Sequence, residues 1–151
     1  MDPDEAADLY LTLFEEFQTR QQERTREAVH LARDEGEADP MRLFIAGARA
    51  YLDGCLAEPD LARLFLSGDG PPGFDRALRD RLRTWARRNA ALFHTSEGGE
   101  VDEALVVVLT GAMSGAVSEV SLSEDEAASR RLADDVLAII ARMESTRERR
   151  P

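Results

Sequence analysis

The sequence has no lysine, one cysteine (Cys55) and two histidines, His30 and His94. A lone cysteine excludes an intrachain disulfide and fits a reducing compartment. So few thiol and imidazole groups leave little material for a metal site or an acyl-transfer triad. Aromatic residues make up only 6% of the chain. No run reaches eighteen apolar residues, so no membrane span is expected. The acidic start, Met1-Asp2-Pro3-Asp4-Glu5, is unlike a signal peptide. Together these absences predict a cytoplasmic protein. Basic residues are also in deficit, and the net charge is −11. Such a surface repels phosphate backbones, so the isolated chain is not expected to bind nucleic acid. That every basic residue is arginine fits the coding bias of a GC-rich genome and is no binding signal.

What is present is a globular composition. Of 151 residues, 43% are hydrophobic and 32% charged, enough for one domain with a real core. The apolar spacing is helical nearly throughout. Leu9, Tyr10, Leu13, Phe14 and Phe17 mark a first helix of about thirty residues, opened by Asp2-Pro3 and ending before Gly36. Its stretch 18–26 is polar, which reads as a solvated middle or one laid against other helices. Asp39-Pro40 opens a second helix with Leu43, Phe44, Ala48, Tyr51, Leu52 and Cys55 on its apolar face. Pro59 opens a short third. A fourth spans about Phe74 to Phe93, with Leu78, Leu82, Trp85, Ala86, Ala90 and Phe93 inward. His94–Glu100 is a polar connection. Val101–Val120 is the most apolar helix, and Ser123-x-x-Glu126 matches a capping box for the last. The tail 147–151 is expected to fray.

Several patterns invite a chemical reading. Gly68-Asp-Gly70-Pro-Pro-Gly73 matches the dinucleotide pattern G-x-G-x-x-G, but a helix precedes it and two prolines remove amide donors. It reads as an interhelical loop. Glu27-x-x-His30 matches one half of a di-iron ligand set with no second half, so it reads as a surface pair. Cys55, on an apolar face, reads as a core residue rather than a nucleophile. No catalytic residue, metal or cofactor is expected. The fourth helix gathers Arg76, Arg79, Arg81, Arg83, Arg87 and Arg88 against Asp75 and Asp80. The stripe Arg76, Arg79, Arg83, Arg87 reads as an exposed face paired with neighbouring acidic helices, the other reading being an anion or partner contact.

The last two helices carry the sharpest signal. Gly111-x-x-x-Gly115 lies inside a helix, where each glycine costs about 1 kcal/mol relative to alanine. Two of them there suggest a close-approaching backbone. One helix of so small a domain hides one face in its own core, and a second apolar face wants a partner chain. A homodimer is therefore expected through Leu105, Val108, Leu109, Gly111, Ala112, Gly115, Ala116 and Val120, with Leu132, Val136, Ile139, Ile140 and Met143 from the last helix. Two such pairs about a two-fold axis give a four-helix interface.

The order of these features resembles a known family. Asp4-Glu-Ala-Ala-Asp-Leu-Tyr-Leu-Thr-Leu-Phe-Glu-Glu-Phe17 is similar to the start of the long helix that follows the DNA-binding domain of TetR-family regulators. Asp39-Pro-Met-Arg-Leu-Phe-Ile-Ala-Gly-Ala-Arg-Ala-Tyr-Leu52 and Glu58-Pro-Asp-Leu-Ala-Arg-Leu-Phe-Leu66 look like the next two helices, and Leu109-Thr-Gly-Ala-Met-Ser-Gly-Ala-Val117 like a dimerisation helix. The resemblance implies an all-α, single-domain bundle of about six helices, with residues 1–146 forming a ligand-sensing and dimerisation domain. Its N-terminal helix-turn-helix module is missing here. That implies a fragment, a start set downstream or a variant without a reader head, with DNA reached only through the missing domain. The resemblance also implies a pocket for a small, mostly apolar effector, with Phe14, Phe17, Phe44, Tyr51, Cys55, Phe65, Trp85 and Met113 as candidate walls. The alternatives are an interaction or heterodimerising module without a ligand, and a metal-dependent helical-bundle enzyme.

Overall fold

A computed structural model describes residues 1–93 and 103–148, with side chains through Met143. The connection at 94–102 and residues 149–151 lie outside the described residues, as does most of the expected frayed tail. Among the described residues the fold is an all-helical bundle of six helices: α1 Pro3–Asp34, α2 Pro40–Ala57, α3 Pro59–Leu66, α4 Phe74–Phe93, α5 Glu103–Leu122 and α6 Glu126–Glu148.

Local chemistry sets the helix ends. Asp2 and Glu5 form a reciprocal capping box, the Glu5 amide donating to Asp2 Oδ1 at 2.8 Å, with Pro3 in the first turn. α1 stops in a Schellman arrangement: the Glu37 amide donates to the Ala32 carbonyl and the Gly36 amide to Arg33, both at 2.9 Å. Gly36 has φ +99°, a conformation that a side chain would strain. Asp39 caps α2 through the Met41 amide. For α6 the expected capping box at Ser123 and Glu126 is replaced by a different cap. Asp125 Oδ1 accepts from the amides of Ala127 (3.0 Å) and Ala128 (3.3 Å), while Ser123 Oγ accepts from the Asp125 amide. Asp125 is the residue immediately before the helix, so its carboxylate reaches the free amides of the first turn, two residues beyond those a Ser123 cap would serve.

The helices pack by burying one face each. Phe14, Phe17, Gln18, Gln21 and Val29 form the buried stripe of α1, so one side of its polar middle is laid against other helices while Thr19, Glu23, Arg24 and Arg26 stay exposed on the other. Gly54 permits that approach, because a Cβ there would stand 1.8 Å from Gln21 Oε1. The Gln21 carboxamide is fully buried and neither of its polar atoms has a hydrogen-bond partner among the described residues. Leaving both ends unsatisfied costs about 1–3 kcal/mol. Gln21→Met keeps the length and removes the polar atoms. It is expected to raise the melting temperature by a few degrees in calorimetry; a fall would mean that the amide is satisfied in solution.

At one end of the bundle Tyr10, Phe14, Phe65 and Phe74 meet edge to face, with centroids 4.9 to 5.4 Å apart. The Tyr10 hydroxyl donates to the Leu64 carbonyl at 2.9 Å and holds α3 against α1. At the other, buried Ser129 Oγ donates to the Val120 carbonyl at 2.9 Å and fixes the α5–α6 turn. Arg20 grips Glu58 with two nitrogens (2.8 and 3.1 Å), and Arg49–Asp134 and Arg130–Asp53 link α2 to α6. These partly exposed pairs orient more than they stabilise.

α5 needs separate comment. By length and composition it is apolar enough to cross a membrane, with mean hydropathy 1.7 over its best window. Here it packs in the bundle through Val106, Leu109, Ala116, Val117, Val120 and Ser121. Its opposite side is open.

Candidate functional site

Five helices enclose a cavity of about 160 Å³. α1 contributes Phe14, Phe17, Gln18, Thr25 and Val29; α2 contributes Phe44, Gly47, Ala48, Tyr51 and Cys55. Phe65 comes from α3, Leu78, Arg81, Leu82, Trp85 and Asn89 from α4, and Thr110, Met113, Ser114 and Ser118 from α5. The structure thus brings all the apolar and aromatic pocket candidates, Phe14, Phe17, Phe44, Tyr51, Cys55, Phe65, Trp85 and Met113, to one cavity wall. An apolar void of roughly 150 Å³ holds a benzene-sized molecule. The cavity is of that one-ring class.

The wall is more polar than the sequence led us to expect. Trp85 Nε1 donates to Gln18 Oε1 at 3.1 Å, and Gln18 Nε2 donates to the Tyr51 hydroxyl at 3.3 Å. Tyr51 and Trp85 also meet edge to face at 5.2 Å. Asn89 Nδ2 donates to Thr110 Oγ1 at 3.0 Å across α4 and α5. Gln18, Thr25, Arg81 and Asn89 were missed because polar residues between aromatic ones look like a solvent face. The available signal was spacing: Gln18 stands four residues after Phe14, on its stripe.

Burial sets the protonation of the wall. Desolvation is the main reason that the Tyr51 hydroxyl is held far above its usual range, with the neighbouring Cys55 adding to it. Tyr51 lies deep in the protein yet keeps accessible surface, because that surface faces the cavity. Cys55 is also buried, and desolvation pushes its thiol up to about 12. It stays a thiol at neutral pH and is a poor nucleophile. Arg88 lies 5.5 Å above the Trp85 ring, and its acidity is raised by desolvation and by nearby Arg81 and Arg26.

The charge around the cavity is one-sided. Among the described residues Arg81 is the charged residue of the wall, and no aspartate or glutamate lines it. The Arg81 guanidinium reaches out to Glu15 on α1. On the outer face of α4, Arg76, Arg79, Arg83 and Arg87 are exposed, as expected for a stripe. The expected pairing with acidic neighbours is sparse: Arg83 meets Asp80 of its own helix, and Arg87 donates to Thr84. His30 is a surface residue that meets Asp34 at 3.6 Å, not part of a ligand cluster with Glu27. Among the described residues no three His, Cys, Asp or Glu side chains gather to hold a metal ion.

Comparison of the chain with protein-family models, curated proteins and solved structures finds no match.

A second feature lies outside the cavity. Val108, Gly111, Ala112, Gly115, Leu132 and Ile139 are exposed, and so are Val107 and Leu122, which the sequence did not single out. A Cβ at Gly111 or Gly115 would meet nothing within 4 Å, so among the described residues no other backbone approaches them. Leu105, Val136 and Met143 are half-buried against the core. Leu109, Ala116, Val120 and Ile140, expected at the interface, instead lie inside the subunit's own core and out of a partner's reach. A helix apolar around most of its girth gives no sequence cue to which side faces inward.

Proposed function

We propose that this chain is the effector-sensing and homodimerisation domain of a TetR-like bacterial transcriptional regulator, without DNA binding of its own. The observation that carries the proposal is the cavity: a partly open, aromatic-walled space for one small molecule, with α1 forming one side. A ligand pressing on Phe14, Phe17 and Gln18 acts directly on the longest helix of the bundle. In a regulator of this kind that helix follows the reader head, and its displacement changes the spacing of two heads in a dimer. The effect requires the ligand to bind the two arrangements with different affinity. The outward apolar faces of α5 and α6 supply the surface for a second copy.

Thermal-shift measurements against small aromatic compounds, together with sedimentation, test the proposal. A ligand selective for the native state raises the melting temperature by mass action. The expected result is at least one stabilising aromatic compound and a mass of two chains. A single-chain mass with no stabilising compound overturns it. Two chains without any ligand favours the pure heterodimerising or interaction module.

A further inference from the structure

The hydrogen-bond direction along the cavity wall identifies the chemistry of the molecule that fits it, given the reading of the cavity as an effector site. An indole N–H can only donate, and Trp85 donates to Gln18 Oε1. This fixes the orientation of the carboxamide, so that Gln18 presents its amide nitrogen to Tyr51. An amide nitrogen also only donates, and the Tyr51 oxygen must therefore accept. The Tyr51 proton is left pointing away from Gln18, and among the described residues it finds no acceptor. Thr25 Oγ1, on the same wall, is buried and has no hydrogen-bond partner among the described residues. Two hydroxyl groups thus remain unspent beside an apolar, aromatic space.

Charge narrows the choice further. The chain carries thirty carboxylates, yet among the described residues none lines the cavity, and the charged side chain that does is Arg81. A cationic ligand would meet no carboxylate on the described wall, and the one that approaches it, Glu15, is already held by the Arg81 guanidinium. We propose that the effector is a single-ring aromatic compound with an oxygen acceptor (a ketone, ester or carboxylate) that receives the Tyr51 O–H, and that cationic aromatics are rejected.

Matched probes on the 151-residue chain test this by calorimetric titration. Acetophenone has the acceptor oxygen, ethylbenzene lacks it, and 1-phenylethylamine replaces it with an ammonium group at neutral pH. Benzoate separates a charged acceptor from a neutral one, and the Tyr51 dependence is required of whichever acceptor binds tighter. Tyr51→Phe keeps the ring and deletes the donor. Comparing each oxygen compound with ethylbenzene in both proteins cancels the difference in their hydrophobicity. The expected result is that the preference for the oxygen compound falls about tenfold in Tyr51→Phe, the worth of one hydrogen bond, with ethylbenzene unchanged. An unaltered preference overturns the inference, as does 1-phenylethylamine binding the unsubstituted chain as tightly as acetophenone. In either case binding of ethylbenzene leaves the sensing role standing. If no probe binds, this inference falls, and the sensing role is decided by the wider thermal-shift series.

Discussion

Val108→Glu combined with Ile139→Glu is expected to give a folded protein sedimenting at one chain's mass, 16.7 kDa, where the proposed dimer requires the unsubstituted chain to sediment as two. Val108 and Ile139 are 53% and 54% exposed in the single subunit, on helices that pack against each other. Covering such a side chain in an interface contributes about 1.5–3 kcal/mol. A glutamate in the same place reverses the sign, because its charge must lose water without a partner. Across a two-fold axis each substitution acts twice, so the combined effect exceeds the free energy of an ordinary dimer contact. Within the subunit both positions are on the surface, where substitutions change stability by only about 0.5 kcal/mol. Retained helicity and cooperative melting of the variant therefore separate lost association from lost folding. If the unsubstituted chain is already a single-chain species at micromolar concentration, the open faces of α5 and α6 have another explanation and the dimer is wrong.

Phe14→Ala acts inside the subunit and through a different term. Phe14 is 1% exposed and stacks edge to face on Phe65 at 5.3 Å and Phe74 at 5.0 Å. Truncating a buried phenylalanine costs about 3–5 kcal/mol, and each ring pair adds roughly 0.5–1.5 kcal/mol beyond area burial. For a domain of this size that lowers the melting temperature by roughly 10 °C. Leu9, five residues earlier and 46% exposed, serves as the comparison; Leu9→Ala is expected to change stability by no more than about 0.5 kcal/mol. Phe14 is also a cavity wall, so the space vacated joins the existing cavity. The variant should then accept a larger ring system than the unsubstituted protein. A loss below 1 kcal/mol would mean that the aromatic cluster is not packed as described.

The helices were legible because their ends and faces are written in local chemistry. Asp2-Pro3, Asp39-Pro40 and Pro59 mark starts that the structure places within a residue. The aromatic walls were legible too, since large apolar side chains on converging inner faces have few other places to go. Two kinds of feature were not. Gln18 and Gln21 look like solvent-facing residues in a polar stretch, and only packing against α2 shows them to be buried. Val108 and Leu109 are adjacent and both aliphatic, yet one is exposed and the other completely buried. Hydropathy cannot choose between them, because the rotation of α5 is set by which neighbours it packs on. The α6 cap failed for a related reason: Ser123 and Asp125 are both good capping residues, and the turn held by Ser129 decides which one sits at the helix start.

Trp85 is the chain's single tryptophan; its indole N–H is engaged by Gln18, and its ring meets Tyr51 at right angles and Arg88 over its face. The protein therefore carries one intrinsic fluorophore at the rim of its internal space, free of background from any other indole. Any molecule that perturbs Gln18 or Tyr51 alters the polarity this fluorophore senses, so occupancy can be followed by its emission wavelength without a label.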